Sequence, residues 1–474
     1  MRASARGGGI GECIMSSRTC LGIFRRLRDL HRDRRGNVAV MMGFLLAPLI
    51  GTFGVGFEVG NWYLITRSAQ NAADSAALAA ATNGSTGWDI EAKAVAAQYG
   101  FADGVNNVTV TASNAAACPG GGNTCYSVTI TKTVSLFVSQ VIGYTGNATL
   151  DGAAAQQLTS TAVATQSTIQ VPLCLLALGK SGAQDIVTNG NPKANMTDCS
   201  VMANTSATCN GSNLGAPYGL AHGKNDGCGV IQVSGVPQVT DPYASLATKI
   251  PTNTCGTSVS NYPQETKKGP VNWTQWSTGT KSLSGNVKIC GDLQLTGNVT
   301  IDAPGAGATL VIYGGQLDTN GYTLQTSSGS GLTVVFANPT GCCSDGTVSS
   351  NNYPTDNSGG SKGVIDIAAP TSGDWSGMAI YQDPNLTSGV DVSSAGNSPT
   401  WDISGAVYLP NSNVTISGAI NKSSNGSNCF VMVMDQVTIN GTGDLLAGDT
   451  AAGCAAAGLN TPKATVPTRG QLVY

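Results

Sequence analysis

Five aspartates in the second half of the chain, Asp366, Asp374, Asp383, Asp391 and Asp402, are of the residue type that could do acid–base chemistry. Two carboxylates at a suitable separation hydrolyse a glycosidic bond. Turns and corners also favour aspartate, whose side chain bonds the nearby backbone, and that account needs no substrate. Elimination from a sugar acid requires a basic side chain, and between Cys290 and Asn421 only Lys362 is basic, which argues against a lyase. Gly359-Gly360-Ser361-Lys362-Gly363 has the Gly-x-Ser-x-Gly spacing of a serine nucleophile. It sits in an Asn/Ser/Gly loop without the strand and helix that form such a turn, so the match is treated as chance. Asp356-Asn357-Ser358-Gly359-Gly360 lacks the second serine of an Asp-x-Ser-x-Ser metal site. No phosphate-binding Gly-x-x-x-x-Gly-Lys-Ser/Thr occurs. On these grounds the sequence assigns no catalytic residue, cofactor or metal.

Cysteine usage points to an oxidising compartment. Of 14 cysteines, Cys13 and Cys20 lie near the start and the other 12 follow residue 37, an even number expected to pair. None of the twelve forms Cys-x-x-Cys, and His222 is the one histidine among them, which excludes a cysteine/histidine zinc site. Cys118 and Cys125 flank Pro-Gly-Gly-Gly-Asn-Thr, a loop that lets two strands turn back, and form the expected disulfide. The adjacent Cys342 and Cys343 are expected to bond to two different partners.

The element that must position everything else is residues 38–57, an uncharged apolar run of twenty residues. As a helix it spans about 30 Å, one bilayer crossing. Arg25, Arg26, Arg28, Arg32, Arg34 and Arg35 precede it, whereas Glu58, Arg67 and Asp74 follow, so the N-terminus is expected in the cytoplasm and the bulk outside it. Trp62 and Tyr63 fit the interfacial aromatic belt. The helix continues to about residue 81 with Ala69, Ala72, Ala73, Ala76 and Ala80 in one small-residue stripe, a surface on which another helix or a sheet can approach closely. A second helix is expected from Asp89 to about Ala102, with Ala92, Val95, Ala96 and Tyr99 on one face. Alternating strands follow at 108–111, 126–131 and 148–150.

Several of these residues carry a resemblance. Arg-Arg-Gly-Asn-Val-Ala-Val (34–40), Pro48, Glu58, Trp62-Tyr63 and Gln-Asn-Ala-Ala-Asp-Ser-Ala-Ala-Leu-Ala-Ala (70–80) together resemble the N-terminal signature of the TadE/TadG-like family. That family is associated with assembly of Flp (tight-adherence) type IV pili in bacteria. Its pseudopilin members have a glutamate five residues after the glycine, where this chain has Met41 after Gly36. The departure implies a TadG-like anchored protein instead of a processed pilin. Cys174-Leu175-Leu176-Ala177-Leu178, Asp241-Pro242-Tyr243-Ala244-Ser245-Leu246, residues 377–383 and residues 404–411 resemble the exported region of some TadG-like proteins. That resemblance implies a solenoid with no assigned activity.

From Cys174 onward charges thin out and short β-prone runs end in glycine, as in 293–297, 401–405, 414–418 and 437–441. The expected organisation is a basic cytoplasmic tail (1–37), a transmembrane helix (38–57), a small α+β juxtamembrane domain (58–170) and an all-β exported region (171–474). A parallel β-helix is the expected form of the last, with a β-sandwich as the alternative. Beyond residue 37 there are 24 acidic and 15 basic residues, which excludes a broad basic surface for nucleic acid. The functional expectation is a non-enzymatic, single-pass inner-membrane protein of the bacterial envelope, its bulk periplasmic or surface-exposed, working with other pilus-assembly proteins in Flp pilus assembly or in surface adherence. In it the alanine stripe contacts a partner, so leucine at Ala73 and Ala76 weakens assembly and spares insertion. The alternative is a membrane-tethered β-helix adhesin, or one that binds or cleaves a surface glycan.

Overall fold

The computed structural model describes residues 36–473 apart from 85–86, 119–123, 180–183, 197, 267–270, 349–350, 360–361, 388, 393–398, 418, 421–428, 442–443 and 447–449. It divides into two compact units: Met1–Ser167 with Thr468–Tyr474, and Thr168–Pro467.

In the first unit, helix α1 (Gly36–Asn83) runs unbroken through Pro48. At about 1.5 Å per residue it is roughly 70 Å long. Its first half is bare: Phe44, Leu49, Phe53 and Phe57 are all exposed. Its second half is a core element, because alanine brings a backbone close to whatever it faces. α2 (Trp88–Gln98) begins with Asp89 and Glu91, carboxylates that suit the positive end of a helix, and buries Ala92 and Ala96. Tyr99 is exposed instead of sharing that face, because the helix stops at Gln98 and Tyr99 is its C-cap.

The sheet of this unit is antiparallel. β1 (Val108–Ala116) pairs with β2 (Cys125–Ser135), Val110 opposite Ile130. β2 pairs with β4 (Ala153–Ala177), Val128 opposite Ala162, and the short β3 (Ala148–Leu150) pairs with the start of β4. Alternation puts Val108, Val110, Val128, Ile130, Ala162 and Ala164 on one face, and these close over the alanines of α1 and α2 in a single buried cluster.

In the second unit the ladders are parallel. One stacks Thr274–Trp276, Leu293–Leu295, Leu317–Asp318 and Pro354–Thr355. A second includes Gly279–Ser282, Val299–Asp302, Thr323–Thr326, Val364–Ala368 and the start of Thr400–Ile416. A third carries Gly285–Cys290, Ala308–Tyr313, Leu332–Ala337, Met378–Gln382, the middle of Thr400–Ile416 and Phe430–Asn440. Parallel ladders of this kind are not those of an antiparallel sandwich. Like residues stack in columns: Val390, Val414, Val437 and Ile186 lie in register, all buried, and so do Leu310, Val334, Ile380, Val407, Met432 and Leu175.

The chain order of the stack is not sequential. Phe430–Asn440 has Thr400–Ile416 on one side and, on the other, the end of β4 and Gln184–Asn189. The first strands of the unit are therefore internal, flanked beyond by Ser200–Ala203 and then Tyr218–Ala221. Between Ile231–Ser234 and Thr274–Trp276 lies a connection with two short 3₁₀ turns, Ala244–Lys249 and Val259–Asn261. It lies on the outward face of the third ladder, where Val311, Tyr381, Tyr408 and Leu176 pack with Val236, Tyr243 and Tyr262. Tyr381 and Tyr408 stack at 4.6 Å, and the Tyr408 hydroxyl donates to Asp241 at 2.8 Å.

Candidate functional site

The alanine stripe is where sequence and structure meet most directly. Ala69, Ala72, Ala73, Ala76 and Ala80 are all essentially inaccessible, joined by Ala77 and Ala81, and what they face is the chain's own α2 and sheet. A stripe spent on its own core is not free to hold another protein. The expected assembly-weakening effect of leucine at Ala73 and Ala76 is thereby replaced by an effect on folding. Gln70 adds a polar tie, its Nε2 donating to the Thr161 carbonyl of β4 at 3.2 Å.

Where α1 passes from its bare half to its packed half stands Glu58, buried although glutamate is a residue of surfaces. Its carboxylate accepts three backbone N–H groups, from Phe137 at 2.9 Å, Val138 at 3.0 Å and Ser139 at 2.8 Å. Those donors lead into the 3₁₀ turn Ser139–Ile142. Charged acceptors form the stronger hydrogen bonds, and three of them offset much of the cost of burying the anion. The sequence marks Glu58 only as part of a motif; its donors lie about eighty residues away, and nothing local signals them. Trp62 is half-buried and its ring lies 5.9 Å from that of Tyr144, whereas Tyr63 is exposed. Arg34 and Arg35 lie outside the described residues.

Cys118 pairs with Cys125. The other pairs are Cys174–Cys199, Cys209–Cys228, Cys255–Cys290 and Cys429–Cys454. Among the described residues that leaves Cys342 and Cys343, whose sulfurs lie against each other, so the expectation of two different partners is corrected: the ten other described cysteines are already paired.

Of the aspartates considered for chemistry, Asp383 serves the backbone and Asp374 forms an ion pair. Asp383 accepts the N–H groups of Asn338 and Asn385, Asp374 pairs with Lys249 at 3.0 Å, and Asp391 falls in the strand Val390–Val392. Asp366 and Asp402 are in-register neighbours in the second ladder. Asp356 binds the N–H groups of Gly321, Ser358 and Gly363, a turn function. His222 Nδ1–H donates to the Val236 carbonyl at 2.9 Å. Among the described residues no group of three or more acidic, cysteine or histidine side chains is arranged to hold a metal.

One acidic cluster was not anticipated. At the ends of the first ladder, Asp292 receives the N–H groups of Glu265 and Gln316, and Asp318 those of Asn320 and Asn357, so these carboxylates close the turns. Glu265 accepts longer bonds from Gln316 Nε2 at 3.4 Å and Asn357 Nδ2 at 3.3 Å, and its carboxyl also hydrogen-bonds the Asp318 side chain. Burial first, then the adjacent Asp318 charge, push its carboxyl up to about 7. The folded state therefore holds this proton more tightly than the unfolded one. Stability from the site is fully present below the ordinary glutamate range and is lost as pH rises through about 7. Thermal melts of the chain at pH 5 and pH 8 are expected to show a lower midpoint at pH 8, with the gap narrowed in Glu265→Gln. An equal gap in both proteins would contradict this placement of the proton.

The cavities of the second unit follow its outward face. A groove of about 790 Å³ is lined by Pro237, Val239, Tyr243, Asp374, Met378 and Pro462 among others, and a smaller one of about 270 Å³ by Leu178, Asn204, Asp241, Pro384, Pro410 and Asn411. Three of the four resemblance segments of this half thus meet at the smaller cavity, at Leu178, Asp241 and Asn411, and the fourth joins them through Tyr381, stacked on Tyr408.

With this geometry in place, comparison with known proteins bears on one element. Residues 36–83, the whole of α1, match the family model Tad, for Flp pilus-assembly TadE/G-like proteins. No curated protein and no solved structure matches the chain.

Proposed function

We propose, starting from a Flp pilus-assembly TadE/G-like helix at residues 36–83, that this chain is a non-enzymatic, single-pass envelope protein acting in or beside Flp pilus assembly. The observation that carries the reading is the division of α1. Its first half is apolar and exposed, long enough to cross a bilayer by length and composition, and its second half is rooted in the core of an α+β unit. An anchor continuous with a folded unit holds that unit at the membrane. In this reading the N-terminus is cytoplasmic and the remainder lies beyond the bacterial inner membrane, which the arginine-rich stretch before residue 36 supports.

The parallel ladders, with buried columns of Val, Leu and Ile, support reading this unit as a β-solenoid. In this reading the solenoid is a contact surface and its aspartates have no catalytic part. Crosslinking in native membranes, followed by mass-spectrometric identification of the attached proteins, tests the role. Recovery of pilus-secretion components is the expected result; recovery of cell-wall or capsular glycan alone would replace it with a glycan-binding reading.

A further inference from the structure

Three large apolar side chains of the first unit stand in the open beside the end of the apolar run: Phe137 is 77% exposed, Val141 83% and Ile142 67%. They sit on or directly before the 3₁₀ turn Ser139–Ile142, and this turn is fastened to α1 at two points. Glu58 binds its three leading N–H groups. One turn earlier, Gly54 leaves room for Val138: a Cβ at Gly54 would lie 2.8 Å from Val138 Cγ1. The turn is therefore held at the level of Phe53 and Phe57, both exposed and both inside the uncharged run. Three residues separate Gly54 from Phe57, about 5 Å along the axis.

We propose that the segment 137–142 inserts into the boundary of the same bilayer that α1 crosses, so that the protein enters the membrane with a wedge beside its helix. This rests on reading α1 as membrane-crossing. The occupant of the apolar surface is lipid because Val138 packs on Gly54, within the bare half of α1 that in that reading faces lipid. The Trp62–Tyr144 pair follows on the polar side, where amphipathic rings favour the headgroup level. The Glu58 clamp explains how a carboxylate is tolerated at that depth: its charge is spent on N–H groups that would otherwise be unpaired at the start of the turn.

The test uses the full chain in phosphatidylethanolamine/phosphatidylglycerol vesicles carrying a bilayer-confined carbene photolabel, with labelled peptides mapped by mass spectrometry. Labelling of 137–142 is expected to be about tenfold above that of Cys125–Ser135, tenfold being the partition ratio that about 1.4 kcal/mol produces. Residues 40–57 should be labelled at a level similar to 137–142. Label on 40–57 with only background on 137–142 overturns the wedge and leaves the anchor intact. Background on both overturns the anchor and the wedge together. In Glu58→Ala, labelling of 137–142 should fall toward background while 40–57 keeps its label; unchanged labelling of the segment would remove the clamp from the proposal.

Discussion

Leucine at both Ala73 and Ala76 is expected to unfold the α+β unit while leaving the chain in the membrane. Both side chains are fully inaccessible, facing α2 and the Val128–Ile130 side of the sheet with no room for three further carbons each. Overpacking typically costs about 1–3 kcal/mol per site, and neighbouring sites on one helix face share the same rigid contact. Against a domain stability of about 5–15 kcal/mol, the pair removes a large fraction. Limited proteolysis of membrane preparations reads the result: rapid cleavage within 84–167, with the apolar half of α1 still resisting alkaline extraction. A double variant as protease-resistant as the parent would mean that the stripe is not a core surface and would reopen it as a docking site. Leucine at the exposed Ser68, on the same helix, should do neither.

Met432→Asp is expected to have the largest effect in the second unit. Met432 lies in register between Val407 and Leu175, fully buried, at the point where strands from opposite ends of the unit's sequence meet. A carboxylate there has no donor and no cation, and burying an unpaired charge costs more than about 4 kcal/mol. Because ladders on both sides depend on this strand, the loss should appear as one cooperative drop in the denaturation midpoint. Val287→Asp, on the terminal strand Gly285–Cys290 where the side chain is partly buried and has a ladder neighbour on one side, should cost much less. Equal effects would contradict the non-sequential order of the strands.

That order was not legible in the sequence. The runs do stack over 414–416 and 437–439, Val414 on Val437 and Ile416 on Ile439, and the local pattern of two apolar side chains per strand announces them. Their irregular spacing obscured the rest: intervening loops differ in length, so periodicity decays although register is kept. The next neighbour of Val437 is Ile186, some 250 residues earlier, and no local signal pairs them. The tyrosines show the same limit. Tyr381, Tyr408 and Asp241 each stand in a segment singled out by resemblance, yet only the fold brings Asp241 to the Tyr408 hydroxyl.

What the sequence by itself determined is what depends on near neighbours. Charge-free length and a one-sided arginine flank define the apolar span, alanine spacing defines a close-packing face, and a seven-residue separation defines the Cys118–Cys125 loop. Only the tertiary structure decided what those features meet: that the alanine face is covered by the chain's own sheet, that Glu58 finds its donors at 137–139, that Cys342 and Cys343 face each other, and that Glu265 lies beside Asp318. The reason is physical. Helix, strand and span propensities sum over adjacent residues, whereas burial, charge pairing and ladder order depend on which distant segments the collapsed chain brings together.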